Sequence, residues 1–408
     1  VQSWPHPVNP KLPGVGLDLR LFDSATQAIR PTAPGTVARI YVCGITPYDA
    51  THIGHANTYV AFDLLIRTWL DSGVAVEYVQ NVTDIDEPLL ERAVATGQDW
   101  REIADRETAL FRQDMAALGV IPPQHYIGAV ESIPQVAEHV LQLQEAGKTY
   151  DIDGDIYFKI AAAPLFGSIS HLTRPQMLDI FSERGGDPDR VGKIDPLDPL
   201  LWKNERPDEP AWNTVLGHGR PGWHIECSTI ALTYLGEQID VQGGGSDLVF
   251  PHHEMSAAQS ESLTEIEPFA RFYVHSGMVA WQGHKMSKSR GNLVFVSTLR
   301  QDGVDPAAIR LALLAHHYRS DWSWTPQGLE GAQARLDLWR AATSLASSLA
   351  AESVLDRVRE VMSDDLKTPS ALDAIDNWAR DSLHSGGSDS RGPALVTDLC
   401  ASLLGVYL

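Results

Sequence analysis

The stretch Tyr41-Val42-Cys43-Gly44-Ile45-Thr46-Pro47-Tyr48-Asp49-Ala50-Thr51-His52-Ile53-Gly54-His55 decides the fold. It opens with a β-prone run, residues 38–43, that ends in Gly44 and reads as a buried strand entering a turn. Beyond it, Tyr59, Phe62, Leu65, Ile66 and Trp69 recur at helical spacing through residues 58–70, and residues 74–79 read as a second strand. Strand, turn, helix and strand make a βαβ unit, and a parallel sheet follows from it. His52 and His55 flank Gly54 where strand gives way to helix. That location aims backbone N–H groups and the positive helix end at an anion. The glycine lets a flat purine approach the backbone, and the histidines can donate hydrogen bonds to phosphate oxygens.

Working outward, residues 99–119 and 132–147 read as amphipathic helices. Residues 151–160 alternate like a strand, and residues 167–210 are crowded with Gly, Pro and Asp, as in an insertion between two halves of a sheet. Periodicity returns over 225–235, followed by a strand at 239–242 that ends in Gly243-Gly244-Gly245 and a further strand at 272–274. From Pro306 the pattern is helical almost to the end, broken by a loop at 382–392. The Pro- and Gly-rich residues 1–35 read as an extended arm with little structure of its own. The expected organisation is therefore α/β: an arm (1–35), the first half of a Rossmann catalytic domain (36–120), an inserted connective domain (121–205), the second half (206–315) and a C-terminal helical domain (316–408).

Composition sets limits on the function. A chain of 408 residues with 43% hydrophobic and 21% charged residues suits two or three globular units. Its apolar runs are far too short for a membrane span, and residues 1–13 lack the apolar stretch of a secretion signal, so a cytoplasmic protein is expected. Against 32 basic residues stand 53 acidic ones, a net charge of −21, with no Lys/Arg cluster. Binding to a polyanion calls for a basic face, so no nucleic-acid partner is expected. Three cysteines without CxxC spacing exclude a disulfide framework and a self-contained zinc knuckle.

A second motif comes late: Gly283-His284-Lys285-Met286-Ser287-Lys288-Ser289-Arg290-Gly291-Asn292. Its lysines suit a pyrophosphate leaving group, whose charge they can neutralise without covalent chemistry. No Walker A sequence is present, so ATP would have to be held by these two motifs. His-Ile-Gly-His followed by Lys-Met-Ser-Lys-Ser, in that order, resembles the class I aminoacyl-tRNA synthetases, whose two motifs bracket ATP on a Rossmann fold. More narrowly, Cys43-Gly44, the run Gly222-Trp223-His224-Ile225-Glu226-Cys227-Ser228, and Gly243 to Asp247 with Pro251-His252-His253-Glu254 resemble cysteinyl-tRNA synthetase.

That resemblance implies a zinc ion on Cys43, Cys227 and His252. Zinc accepts thiolate and imidazole tetrahedrally and keeps one position open in catalytic sites. A substrate thiolate fills it far better than the hydroxyl of serine, so selectivity needs no proofreading. The resemblance also implies that His55, supported by His52, stabilises the transition state of adenylation while Lys285 and Lys288 steady the pyrophosphate. Gly44, Thr46, Thr58, Asn81 and Thr83 would contact the adenylate or the amino acid, together with Cys43. Trp223 would wall the cysteine pocket. Gly245, Ser246, Asp247 and Val279 would approach the adenylate, with Asp247 a candidate partner for the substrate ammonium. Mg²⁺ would accompany ATP.

The chain departs from cysteinyl-tRNA synthetase at several points. Ser256 stands where that family places a further zinc-binding glutamate, Gln242 where histidine usually precedes the glycine run, and Asn57 where arginine is usual. The motif after the second strand reads Asn81-Val82-Thr83-Asp84-Ile85-Asp86-Glu87-Pro88, and the segment beyond the lysine loop is short for two tRNA-contacting domains. With the Glu183-Arg184-Gly185-Gly186-Asp187-Pro188 run, the chain resembles the mycothiol-pathway ligases, shortened relatives that transfer cysteine to the amine of glucosaminyl-inositol. A truncated cysteinyl-tRNA synthetase and a non-catalytic relative are the alternatives. ATP, L-cysteine and glucosaminyl-inositol are the expected partners, and the expected state is a monomer.

Overall fold

Five parallel strands form the central sheet in the order Ala270–Ser276, Ile239–Gly245, Val37–Val42, Ala75–Val82 and His125–Gly128. The computed structural model that shows this describes residues 1–286 and 291–408, and of Lys285 the backbone alone. From Val37–Val42 the chain steps outward to one edge; Ile239–Gly245 then returns to the other side, with Val241 opposite Ile40 and Gly243 opposite Val42. Strand order reverses between these two strands, and in open α/β sheets ligands bind at the carboxyl ends beside such a reversal. Cys43 and Gly245 therefore both sit at the place where a ligand belongs.

The helix Ile53–Asp71 starts five residues earlier than apolar spacing alone suggests. His52 caps it with extended backbone, and its ring accepts a hydrogen bond from the His55 N–H. Histidine is not among the usual capping residues, so periodicity could not see this start. The helix is buried on nearly every side because it lies between the sheet and the C-terminal helices. Its polar residues Asp63 and Arg67 are fully buried, and they join Arg310 in an ion-pair cluster.

Two strand expectations need correction. The strand read as ending at Gln242 continues through Gly245. A Cβ at Gly243 would come within 2.3 Å of the Phe62 ring, so the glycines are strand residues that let the helix pack closely on the sheet. The single strand read over 151–160 is a hairpin, Thr149–Ile152 with Asp155–Phe158, turned at Asp153 and Gly154, which have φ of 52° and 87°. It begins a second, antiparallel sheet, extended by Leu200–Asn204, Gly217–Pro221 and Trp212–Thr214, which lies in the chain between His125–Gly128 and Ile239–Gly245.

The N-terminal residues are also more structured than an arm. Arg20–Asp23 pairs with Ala28–Pro31, and Asp23 accepts the Tyr273 N–H at 3.0 Å, fastening this hairpin beside the sheet. Trp4 is buried edge-on against Phe111 and Tyr126. The C-terminal part is helical, through Pro326–Thr343, Glu352–Ser363, Thr368–Ser385 and Gly392–Leu399. Its core is continuous with that of the first helix. Among the described residues no helix is long and apolar enough to cross a membrane.

Candidate adenylate and metal site

A cleft of about 450 Å³ opens at the carboxyl ends of Val37–Val42 and Ile239–Gly245. Of the residues picked out from the sequence whose side chains are described, all line it except Ser246. Ser246 begins the turn Ser246–Leu248, and the wall takes its neighbours Gly245 and Asp247 instead. Lys285 lies in the strand His284–Lys285, and Lys288 falls outside the described residues.

At the base of the cleft the sulfur atoms of Cys43 and Cys227 and a ring nitrogen of His252 lie within 4.8 Å of one another. All three residues are buried. Each arrives on a different element. Cys43 directly follows the strand Val37–Val42, Cys227 sits in helix Trp223–Leu235, and His252 comes just before helix Glu254–Thr264. His252 Nε2 is 3.2 Å from Cys227 Sγ, while its Nδ1 is 3.0 Å from Nδ1 of His224. The Trp223 indole stacks on the His252 ring at 4.4 Å and fixes its plane.

Burial opposes ionisation of Cys227. Hydrogen bonding from Cys43 and the charge and ring N–H of His252 overcome it and hold this thiol well below its usual range. Burial pushes the Cys43 thiol up, and its close neighbour Cys227 adds to the effect. Two sulfurs and one imidazole held together out of water fit a soft divalent ion of the zinc kind, with a fourth position left for a ligand. His224, made neutral by burial, backs His252 as an outer hydrogen-bond partner does in metal sites.

Two substitutions that looked independent in the sequence are one feature in space. Ser256 Oγ donates to the His252 carbonyl at 2.8 Å and accepts from Gln242 Nε2 at 2.9 Å. The serine is turned onto the backbone of the histidine that precedes it by one helical turn, and contributes no fourth donor.

Above this base lie the glycine and histidine motifs, the side of the cleft where a nucleotide is expected from the sequence. A Cβ on Gly44 would overlap the Asn81 carbonyl at 1.6 Å, and the Gly44 N–H donates to Asn81 Oδ1 at 2.7 Å. Asn81 Nδ2 in turn donates to Thr83 Oγ1 at 3.1 Å, so the ends of the first two strands are tied edge to edge. The His52 and His55 rings stack at 3.7 Å. Burial, helped by the neighbouring His52, holds the His55 imidazole well below its usual range and therefore neutral. Its Nδ1 is buried without a hydrogen-bond partner, a donor or acceptor held in readiness. Thr58 Oγ1 meets Ser276 Oγ at 2.8 Å, and Met278, Val279, Met286 and Leu293 supply an apolar wall suited to a purine.

Sequence reasoning missed two parts of the site. One is a relay behind Cys43. His253 Nε2 lies 3.2 Å from Cys43 Sγ, His253 Nδ1 is 2.8 Å from His275 Nε2, and His275 Nδ1 is 2.7 Å from Ser24 Oγ. Adjacent histidines in Pro251-His252-His253 were the available signal, but only the first was read as functional. The other is a second cavity of about 660 Å³ that shares Thr46 and Trp223 with the first.

Comparisons with known proteins identify the family and the fold. Residues 29–334 match the family described as tRNA synthetases class I (C) catalytic domain. A Streptosporangium roseum protein named L-cysteine:1D-myo-inositol 2-amino-2-deoxy-alpha-D-glucopyranoside ligase is 58% identical over 408 residues, covering 100% of both chains. One of the same name from Mycolicibacterium smegmatis is 56% identical over 412 residues, again covering 100% of each. Among solved structures, Mycobacterium tuberculosis methionyl-tRNA synthetase in complex with methionyl-adenylate superposes with a TM-score of 0.64 at 17% identity, covering 90% of each chain. At that identity the likeness speaks for the fold.

Proposed function

The chain belongs to the class I (C) tRNA-synthetase catalytic-domain family, among its cysteine:amino-sugar ligases, and from that premise we propose the following reaction. It activates L-cysteine with ATP and joins the cysteinyl group to the amine of 1D-myo-inositol 2-amino-2-deoxy-α-D-glucopyranoside, a step of mycothiol biosynthesis. The observation that carries this reading is the Cys43, Cys227 and His252 cluster at the base of the cleft at the carboxyl ends of the central strands.

These three residues would hold zinc, which would offer its open position to the substrate thiol and so distinguish cysteine from serine. The rest of the chemistry falls to the chain. A cysteine seated there presents its carboxylate toward the His52–His55 side of the cleft. A carboxylate oxygen bonds to the α-phosphorus of ATP, and the bond to pyrophosphate breaks. His55, neutral and buried, gives a hydrogen bond to the equatorial oxygens and adds no charge that substrate binding would have to neutralise. Asp247 lines the cleft wall and would receive the ammonium group. Lys285 and Lys288 would accompany the departing pyrophosphate, and Mg²⁺ would enter with ATP. In the second step the sugar amine, as free base, bonds to the cysteinyl carbonyl carbon, the acyl C–O bond of the mixed anhydride breaks, the nitrogen gives up a proton to solvent, and AMP leaves.

The test is AMP release from ATP and cysteine in the presence of either the amino sugar or cysteine-accepting tRNA. Turnover with the sugar alone is the expected result. Turnover with tRNA alone would make this chain a shortened synthetase.

A further inference from the structure

The second cavity adjoins the adenylate cleft along Thr46 and Trp223. Its walls come from the helix start at Asp86 and Glu87, the antiparallel sheet, the run from Glu183 to Asp187, and the first turn of the helix Trp223–Leu235. At about 660 Å³ it lies within the roughly 300–1,000 Å³ typical of small-molecule sites.

The charges on this wall are arranged in a particular way. Arg220 binds Glu87 at 2.7 Å and Glu209 at 2.9 Å, and Lys203 reaches the same two carboxylates at 3.3 and 2.8 Å. Arg206 and Arg190 both hold Asp155, at 2.8 and 2.9 Å. Arg184 donates to the carbonyls of Asp247 and Phe250. Among the described residues, each cation of the wall is thus engaged with the protein, and none stands ready for a phosphate. Asp86, Glu91 and Glu183 line the same space and form no ion pair among the described residues. Glu226, 2% exposed, also lies on this wall, and its Oε2 is buried without a hydrogen-bond partner. A buried polar atom left unsatisfied beside a cavity signals a missing ligand or water.

We infer that this second cavity is the acceptor subsite, where a polyhydroxylated amine is held by the wall carboxylates with its nitrogen toward the Thr46–Trp223 junction. The inference rests on the proposed function and deepens it. Ion-paired carboxylates and guanidiniums still have free lone pairs and N–H groups for hydroxyls, which suits a sugar–cyclitol. An excess of carboxylate attracts its ammonium. The acceptor end of an RNA would need unpaired cations for its phosphates. Burial, with the Glu87 carboxylate next to it, raises Asp86 to about 7, so this group can share a proton with an amine near neutrality. The run from Glu183 to Asp187 thereby gains a role as one wall of the subsite.

Three variants test this: Asp86→Asn, which keeps a helix-capping side chain, and Glu91→Arg and Glu183→Arg at exposed positions of the wall. The measurements are cysteine-dependent ATP–pyrophosphate exchange and the KM for the amino sugar in amide formation. Exchange should stay within about twofold of wild type in all three, which also reports a folded cleft. The acceptor KM should rise about tenfold or more in each, the effect of losing or reversing one charged contact. If wild type forms the amide and all three variants keep its acceptor KM, the subsite lies elsewhere while the proposed function stands. If wild type forms no amide but charges tRNA, the function itself is overturned, and this subsite with it.

Discussion

Replacing Asp63 with asparagine removes a charge from the interior without changing its volume. Asp63 is fully buried, and its Oδ2 accepts from Arg67 Nε at 2.7 Å and from the Arg310 guanidinium, while Oδ1 accepts the Ile121 N–H at 2.8 Å. Burial works against its ionisation, but the two guanidiniums and the backbone N–H prevail and hold the carboxyl below its usual range. In Asp63→Asn two buried guanidiniums would face each other with no counter-charge. Breaking a buried pair by removing one partner costs about 3–5 kcal/mol. Unfolding entropy of roughly 2.1 cal/mol/K per residue converts that, for a chain of this length, into a midpoint lowered by about 4–6 °C. Scanning calorimetry measures it, with ATP–pyrophosphate exchange at 25 °C as the control for an intact cleft. The folded carboxyl ionises below the unfolded value of about 3.9, so the pair stabilises above that pH and loses its contribution as pH falls further. The variant should lack that part of the acid slope. A midpoint within 1 °C of wild type would refute the reasoning, since it would mean that the cluster contributes no net charge stabilisation.

Cys227→Ala should lose bound zinc and cysteine-dependent exchange together; metal analysis of the purified variant decides, and full zinc content would remove Cys227 from the donor set. His55→Ala should lower the adenylation rate roughly 100-fold or more, the range for one transition-state donor, with zinc content unchanged. Unaltered exchange would take His55 out of the mechanism. Glu261 is buried, accepts the Phe269 N–H at 3.0 Å, and is raised by burial to about 7, with Glu267 and Glu254 adding to the shift. The folded state therefore binds the extra proton between the unfolded value of about 4.3 and that pH, and stability falls as pH rises through this window. Glu261→Gln should flatten that decline in melts from pH 4.5 to 8, and an unchanged slope would count against it.

The βαβ unit was legible because residues 38–79 carry two periods in sequence, strand-like and then helical, and the structure follows both. The clustering of Cys43, Cys227 and His252 was legible because each lies in a short motif that resembles one of cysteinyl-tRNA synthetase. What could not be read depends on packing across distant segments. The Gly243–Gly245 run looks like the end of the strand until the Phe62 ring is placed against it. Ser256 and Gln242 look like two losses until their hydrogen bond joins them. The second cavity gathers Thr46, Asp86, Asp155, Glu183 and Arg220, whose spacing carries no local pattern. The helix start at His52 was missed for a different reason, since its cap is made by a ring nitrogen.

The scattering of the donors has a consequence for how the protein is made. Cys43 comes directly after the strand Val37–Val42, whereas Cys227 and His252 follow only after the antiparallel sheet. An emerging chain has no local knuckle that could trap an ion on its own. All three donors come together only when the strands Val37–Val42 and Ile239–Gly245 pair, so metal uptake would mark completion of the catalytic sheet. Chelators would then act far more strongly on refolding chains than on finished protein, and half-built chains would compete poorly for the metal.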